Sequence, residues 1–177
     1  MNNKIIKILK NGGIGVLPTD TIYGLVGSAL NKKTIKRIYS IRQRNPRKPF
    51  IILIGSLADL KLFKIKLDNY SKKALDEIWP GKVSVVLSGL AFRLPKNFWL
   101  KKLLNQTGPL VAPSANPEGM PLAKTIKEAK KYFGDKIDFY LDKGKLDSLP
   151  STLIQIKNKN LSILRQGTVK IANNLFK

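Results

Sequence analysis

The chain has 177 residues, of which 43% are hydrophobic and 25% charged, so it predicts one domain spanning 1–177 and excludes a disordered tail. The sequence contains no cysteine and no histidine, which excludes disulfides, thiolate nucleophiles, imidazole bases and the usual zinc clusters. A net charge of +22 favours polyanionic partners such as nucleic acids, nucleotides or acidic membranes, although scattered lysines such as Lys32, Lys33, Lys72 and Lys73 are better explained as solvated faces.

Targeting and membrane-spanning features are not evident in the sequence. The first residues, "MNNKIIKILKNGG", contain too short an apolar segment for a signal peptide and mix lysine into a helical pattern. No run of about 20 apolar residues follows that would span a bilayer. The sequence therefore predicts a cytoplasmic protein without membrane contact.

The first half of the chain alternates helical and strand patterns. Ile5, Ile6 and Leu9 recur at helical spacing before Gly12 and Gly13, which predicts a first amphipathic helix. The segment "IGVLPT" predicts a short buried strand. Residues 31 to about 43 predict a helix stopped by the following "NP", and "PFIILIG" predicts an apolar strand. A further helix is expected from Ser71 to "WPG".

The second half of the chain ends in strands. The segments "KVSVVLS" and "GPLVAPSAN" predict strands, and Thr125 with Glu128 has the capping-box spacing of a helix through Tyr132. The closing strands are expected at "IDFYLD", "STLIQIK" and "LSILRQG". Helices interleaved with strands predict an α/β or α+β domain, and consecutive closing strands indicate a twisted sheet of mixed parallel and antiparallel strands with flanking helices.

Polar residues cluster where strands are expected to end, which is where open sheets commonly bind ligands. In "PTDTIYG", the hydroxyls of Thr19, Thr21 and Tyr23 alternate along a segment that, if extended, presents them on one face to a small polar ligand. An ordinary turn, in which threonine and aspartate satisfy local backbone groups, explains this segment alone equally well.

A basic cluster, "IRQRNPRKP", lies between a helix and an apolar strand. Arg42, Arg44, Arg47 and Lys48 fall within seven positions, and closely spaced cations bind phosphate oxygens. Basic residues at a helix C-terminus also offset the helix dipole, but this cluster carries more positive charge than that purpose needs. We therefore favour an anion site here.

Two further clusters offer hydrogen-bond donors. In "APSAN", Ser114 and Asn116 follow a buried strand, and without histidine the serine is a binding group and not a nucleophile. "PST" and "RQG" place Ser151 and Arg165 on neighbouring closing strands, although Arg165 alone is also compatible with a surface arginine.

Taken together, these segments resemble a known family, the threonylcarbamoyl-AMP synthases of the YrdC-like type. The resemblance covers nearly the whole chain and rests on seven segments in order: "LPTDTIYGL", "RQR" followed by "KPFIILI", "WPGKVSVVL", "FRLP", "GPLVAPSAN", "PSTLI" and "LRQG". It implies the short, single-domain type with a YrdC-like fold.

The resemblance implies an enzyme that joins L-threonine, bicarbonate and ATP into threonylcarbamoyl-AMP with release of pyrophosphate, for threonylcarbamoyladenosine modification of tRNA. ATP is then a substrate, Mg²⁺ arrives with its triphosphate, and no protein-bound metal is expected. Other proteins of the tRNA threonylcarbamoylation pathway are implied as partners, with RNA binding that is weak and nonspecific.

Site residues are implied at matching positions. The resemblance implies catalytic roles for Arg42 and Arg44. The implied ATP-binding residues are Arg44, Lys48, Asn116 and Arg165, and the implied threonine-binding residues are Thr21, Tyr23, Arg93, Ser114 and Ser151. Arg42 stands where the family pattern has lysine, and Leu53 stands where longer members often have histidine. The alternatives are a basic RNA-binding protein of the same fold and a synthase-like protein without activity.

Overall fold

The computed structural model describes residues 3–171, and nine strands within this range form one sheet. The strands are β1 Ile14–Pro18, β2 Tyr23–Ser28, β3 Ile51–Leu53, β4 Val83–Leu87, β5 Leu90–Arg93, β6 Leu110–Val111, β7 Phe139–Tyr140, β8 Thr152–Lys157 and β9 Asn160–Arg165. The α-helices are α1 Asn3–Lys10, α2 Lys32–Arg42, α3 Asn69–Ile78, α4 Phe98–Thr107 and α5 Ile126–Phe133. Short 3₁₀ helices cover Leu57–Phe63 and Gly134–Lys136.

The sheet mixes parallel and antiparallel pairs, as the sequence predicts. Its strand order is β7-β1-β2-β6-β3-β5-β4-β8-β9. The pairs β1–β7, β3–β5 and β4–β8 are parallel, whereas β1–β2, β2–β6, β3–β6, β4–β5 and β8–β9 are antiparallel. The chain thus combines crossovers through helices with direct hairpins.

Helices cover the two faces of the sheet unequally. On one face α2, α3 and α5 pack over Val85, Phe92 and Ile154, which belong to the larger hydrophobic core. On the other face α1 and α4 form a smaller core with residues of β1, β2, β3 and β6, including Leu17 and Leu53. Side chains alternate along strands, so β4, β5, β8 and β9 also present residues to this second face, beyond the smaller core. The part of the second face that α1 and α4 leave uncovered lines a cavity.

Two strands were missed by the sequence interpretation, which therefore needs correction. β2 contains Gly24 and Gly27, which lower strand propensity. A Cβ on Gly27 would lie 2.4 Å from Thr34 Cγ2, so the close approach of α2 requires glycine there. β5 follows β4 through a two-residue turn in which Ser88 and Gly89 have φ of 49° and 83°. β5 has only four residues, which is too short to give a clear strand pattern in the sequence.

The predicted helices are confirmed, with adjusted ends. In α2, the Asn31 side chain accepts hydrogen bonds from the backbone at the N-terminus, and Gln43 ends the helix in a left-handed conformation (φ 50°). The end therefore agrees with the predicted one at about residue 43, and Arg44 lies in the loop that follows. In α5, Thr125 accepts from Glu128 N as predicted, but the Glu128 carboxylate accepts from Lys124 N.

None of the helices in residues 3–171 has the length and apolar run needed to cross a bilayer.

Candidate active site

A cavity of about 600 Å³ lies on the uncovered part of the sheet. Its floor includes Val86, Ala91, Leu153 and Gln155 from the central and closing strands. Its walls carry cations and hydroxyls from six separate segments of the chain, namely Thr19, Thr21, Arg42, Arg44, Arg47, Lys48, Arg93, Ser114, Ser151 and Arg165. The clusters that the sequence singled out therefore meet around one space.

The loop between β1 and β2 is a tight turn, so the expectation of an extended segment is wrong. Thr19 Oγ1 donates to the carbonyl of Ile22 at 2.7 Å and accepts from the amides of Thr21 and Ile22, both at 3.3 Å. These bonds build the loop, as the turn alternative proposed for threonine, but among the described residues the Asp20 carboxylate satisfies no backbone group. Thr19 and Thr21 nevertheless line the cavity, and their hydroxyl oxygens lie 3.2 Å apart.

Tyr23 does not line the cavity, which corrects the expectation that it faces a ligand beside Thr21. Its ring is fully buried, and its hydroxyl donates to the carbonyl of Gly144 at 2.8 Å and accepts from Lys143 N at 3.0 Å. The same hydroxyl lies 3.2 Å from Asp142 Oδ1. Tyr23 therefore fixes the loop after β7, and burial raises the pKa of its hydroxyl.

Three residues form what we call the buried cluster: Asp20, Thr21 and Arg93. Arg93 Nη2 lies 2.9 Å from Asp20 Oδ1, and Nη1 donates to Thr21 Oγ1 at 3.4 Å. The side chains of Asp20 and Arg93 are 6% and 5% exposed. The two side chains thus form an ion pair without a hydrogen bond, and within residues 3–171 both Asp20 oxygens and Arg93 Nε have no hydrogen-bond partner. Burial lowers the pKa of Arg93, and Asp20 opposes this effect.

Arg42 lies in the protein interior rather than at a solvated helix end. It is 3% exposed, its Nε donates to the carbonyl of Asn116 at 2.7 Å, and its Nη2 donates to Ser114 Oγ at 3.1 Å. Burial lowers its pKa to about 10, with Arg44 adding to the effect. Within the described part of the chain, no carboxylate forms an ion pair with this guanidinium, although the charge of Glu118 opposes the lowering of its pKa. The cavity wall thus contains a buried cation held by neutral groups.

Asn116 stands behind the cavity wall and not on it. Its Nδ2 donates to the carbonyls of Pro117 at 3.0 Å and Met120 at 2.6 Å, and its Oδ1 lies 3.4 Å from Arg42 Nη2. The side chain is therefore committed to contacts within the protein. It positions Arg42 and shapes the turn after β6.

A second charged group, the rim cluster, consists of Arg44, Lys48 and Glu118. Glu118 Oε1 lies 2.7 Å from Lys48 Nζ and 3.9 Å from Arg44 Nη1. The Lys48 side chain is 60% exposed. Arg44 is held more firmly, because its Nε donates to the carbonyl of Lys48 at 3.2 Å and its guanidinium lies 5.7 Å from the centre of the Phe50 ring.

Ser151 and Arg165 lie at neighbouring closing strands, as the sequence predicts, although Ser151 stands immediately before β8 and Arg165 is the last residue of β9. Arg165 Nη2 donates to the carbonyl of Ser151 at 2.9 Å. Ser151 is almost fully buried, and its hydroxyl oxygen lies 2.8 Å from that of Ser84 in β4. Both Ser151 and Arg165 line the cavity.

Sequence interpretation did not assign roles to three polar residues of the site: Asp20, Ser84 and Glu118. The available signals were a carboxylate inside "PTDTIYG", a serine in the alternating strand "KVSVVLS", and a carboxylate two residues after Asn116. Within residues 3–171, no group of three or more acidic side chains is placed to hold a metal ion.

The family model for the Sua5/YciO/YrdC domain, described as "Telomere recombination", matches residues 7–167. The chain belongs to the Sua5/YciO/YrdC family. This confirms the resemblance drawn from the seven segments. A threonylcarbamoyl-AMP synthase of Pyrococcus abyssi is 29% identical over 175 residues, which cover 90% of this chain and 52% of that protein.

Solved structures of the family share the fold. Sua5 of P. abyssi, solved in complex with L-threonine, has 27% identity and a TM-score of 0.84 over 93% of this chain and 53% of its own. The chain thus spans about half the length of that protein. YciO of E. coli has 24% identity and a TM-score of 0.85 over 95% of this chain and 89% of its own, a likeness of fold. These neighbours confirm the mixed α/β class.

Proposed function

We propose that this protein is an L-threonylcarbamoyladenylate synthase, which forms threonylcarbamoyl-AMP and pyrophosphate from L-threonine, bicarbonate and ATP. The names of its homologues indicate an enzyme of the nucleotidyltransferase type and favour a synthase over an RNA-binding protein. On this proposal, the product passes to other proteins that modify tRNA, and any RNA contact of this chain is weak and lost at high salt.

The observation that carries the proposal is Arg42, a buried guanidinium on the cavity wall that pairs with no carboxylate among the described residues. A buried charge is costly without an opposite charge nearby. Arg93 has Asp20 as its counter-ion in contact, whereas among the described residues the Arg42 guanidinium contacts the neutral groups of Ser114 and Asn116, and the Glu118 carboxylate acts on it without forming an ion pair. An anion bound in the cavity would supply the missing negative charge.

Two sets of side chains suit the two anionic substrates. We assign Arg44, Lys48 and Arg165 to the triphosphate of ATP, because arginine and lysine bind phosphate oxygens through charge-assisted hydrogen bonds. We assign Thr21, Arg93, Ser114 and Ser151 to threonine and its carbamate, since hydroxyls and one guanidinium suit a small polar acid. Asn116 acts indirectly, through Arg42.

The reaction requires little proton transfer from the protein. The threonine amine and bicarbonate first form a carbamate with loss of water. A carbamate oxygen then attacks the α-phosphorus of ATP, and the bond from that phosphorus to the pyrophosphate oxygen breaks. The task of the site is to hold two anions together while charge develops on the phosphate and on the leaving pyrophosphate. Arg42 and Arg44 perform this task as fixed cations, so a site without histidine or cysteine is sufficient. Mg²⁺ belongs to the bound nucleotide as part of the substrate.

The proposal is tested by incubating the protein with ATP, bicarbonate and labelled threonine, without RNA. We expect a threonine-containing adenylate and a stoichiometric amount of pyrophosphate. Omission of bicarbonate is the matched control and should abolish both products. Adenylate that forms only when tRNA is added, or tight selection of one RNA at physiological salt, would refute the proposal in favour of the RNA-binding alternative.

A further inference from the structure

Glu118 places a carboxylate of the chain itself against cations that line the cavity. Its Oε1 lies 2.7 Å from Lys48 Nζ and 3.9 Å from Arg44 Nη1, and its Oε2 accepts from Asn45 N at 3.0 Å. Two hydrogen bonds lower the pKa of Glu118 from its usual value: the one from Lys48 has the larger effect, and the one from Asn45 N the next largest. The carboxylate is therefore ionised at neutral pH. It occupies the position beside the Lys48 ammonium that a bound phosphate oxygen would take.

The two cations differ in how firmly they are held. Arg44 is fixed by the carbonyl of Lys48 and by the Phe50 ring. The Lys48 backbone is fixed as well, because its carbonyl also accepts from the Tyr39 hydroxyl at 3.1 Å. The Lys48 ammonium, in contrast, ends a flexible and largely exposed stem, and it contacts the Glu118 carboxylate. Lys48 is thus the group that can exchange one anion for another.

We propose that Glu118 is an internal counter-ion which a polyphosphate displaces from Lys48, and that it thereby lowers the affinity of the cavity for ATP and pyrophosphate. This inference rests on the proposed function, because it takes the triphosphate as the displacing group. An exposed ion pair contributes little stability, whereas a polyphosphate offers several charges to Lys48 and Arg44 together. After Lys48 has moved to the phosphates, the hydrogen bond from Asn45 N keeps the Glu118 carboxylate near the cavity, where it repels the bound phosphates. The same repulsion favours release of pyrophosphate.

Glu118→Gln tests the inference with minimal structural change. Glutamine removes the charge, and its side-chain carbonyl can still accept from Asn45 N. We expect calorimetric titration with ATP, and separately with inorganic pyrophosphate, to show about two- to fivefold tighter binding for each ligand. Glu77→Gln in α3 is the matched control, since it makes the same change of charge on a helix that packs against the opposite face of the sheet. It should leave both affinities unchanged.

A double-mutant cycle with Lys48→Gln tests whether Glu118 acts through this lysine. In the Lys48→Gln background, Glu118→Gln should increase pyrophosphate affinity by less than it does in the parent protein, because the Lys48 ammonium for which Glu118 and pyrophosphate compete is gone. Thermal unfolding of all four proteins establishes that the comparison concerns folded chains.

Unchanged pyrophosphate affinity in folded Glu118→Gln would overturn the inference. Weaker binding would also overturn it, and would make Glu118 a residue that positions Lys48 for phosphate. These results are separable from the proposed function. A parent protein that binds pyrophosphate but forms no adenylate would refute the synthase, while the pyrophosphate titrations would still decide the role of Glu118.

Discussion

The buried cluster and the rim cluster each pair a carboxylate with cations, yet their surroundings differ. Asp20 and Arg93 are 6% and 5% exposed, whereas Glu118 and Lys48 are 27% and 60% exposed. In the interior, separating two charges leaves each without water, so the pair keeps one arrangement. At the rim, water replaces either partner at little cost. We infer that the buried cluster sets the geometry of the site and that the rim cluster exchanges partners when an anion binds.

The largest effect is expected from breaking the buried pair. Asp20→Ala leaves the Arg93 guanidinium buried without its counter-ion, which should lower the free energy of unfolding by about 3–5 kcal/mol. Denaturant unfolding measures this loss. The double variant Asp20→Ala/Arg93→Met should recover much of the stability, because it leaves no unpaired charge. A loss below about 1 kcal/mol in Asp20→Ala would show that Arg93 is well solvated without Asp20.

Arg42 offers a comparison with both clusters, because it is buried but lacks a carboxylate partner in the described chain. Arg42→Ala should lower kcat for adenylate formation about 100-fold and affect threonine binding less, since the charge acts on the reacting phosphate. Arg42→Lys should retain activity or raise it, because the positive charge remains.

Arg37→Ala is the control for Arg42, as it removes an arginine of the same helix that pairs with Asp138 at 2.7 Å and does not line the cavity. If Arg42→Ala turns over at the rate of the parent protein, the catalytic role of Arg42 is wrong.

At the rim, Arg44 is expected to matter for binding more than for folding. Arg44→Ala removes a charge-assisted phosphate contact and should weaken ATP binding about tenfold. Asn116→Ala should weaken ATP binding less, because it loosens Arg42 without removing a cation from the wall. Calorimetric titration with ATP measures both variants. Parent-like affinity in folded Arg44→Ala would remove its phosphate role.

The smallest effect is expected for the stability of the exposed pair. Glu118→Gln and Lys48→Gln should each leave the midpoint of denaturant unfolding within the error of the measurement, because water and other cations replace the lost contact. The contrast with Asp20→Ala is the direct test of the two clusters. A large loss of stability in either rim variant would mean that this pair holds the fold together and does not exchange partners.

Prediction from sequence succeeded where short-range patterns decide the structure. The helix over residues 32–42 follows from its apolar spacing and the Asn31 cap, and the closing hairpin follows from two alternating segments. It failed at β2 and β5. In β2 the glycine that weakens the strand signal is required by the packing of a helix, and β5 has only four residues. Such packing demands are not visible in local propensity.

The site shows the same division. The sequence indicated basic and hydroxyl-bearing segments at the ends of strands, and the cavity brings most of them together. It did not reveal that Tyr23 turns toward the loop after β7, because its partners lie about 120 positions later. It also did not reveal that the Asn116 side chain donates to nearby carbonyls while its Oδ1 lies 3.4 Å from Arg42 Nη2.

Patterns of neighbouring residues were enough to predict the order of most elements and to recognise the seven ordered segments of the family, because each pattern depends on residues close together in the chain. The tertiary structure alone decided which charges are paired. Asp20 meets Arg93, and Arg42 meets Ser114 and Asn116, across more than 70 positions. Strand order and helix packing create these contacts. Burial then makes the same type of side chain a fixed support in one place and an exchangeable partner in another.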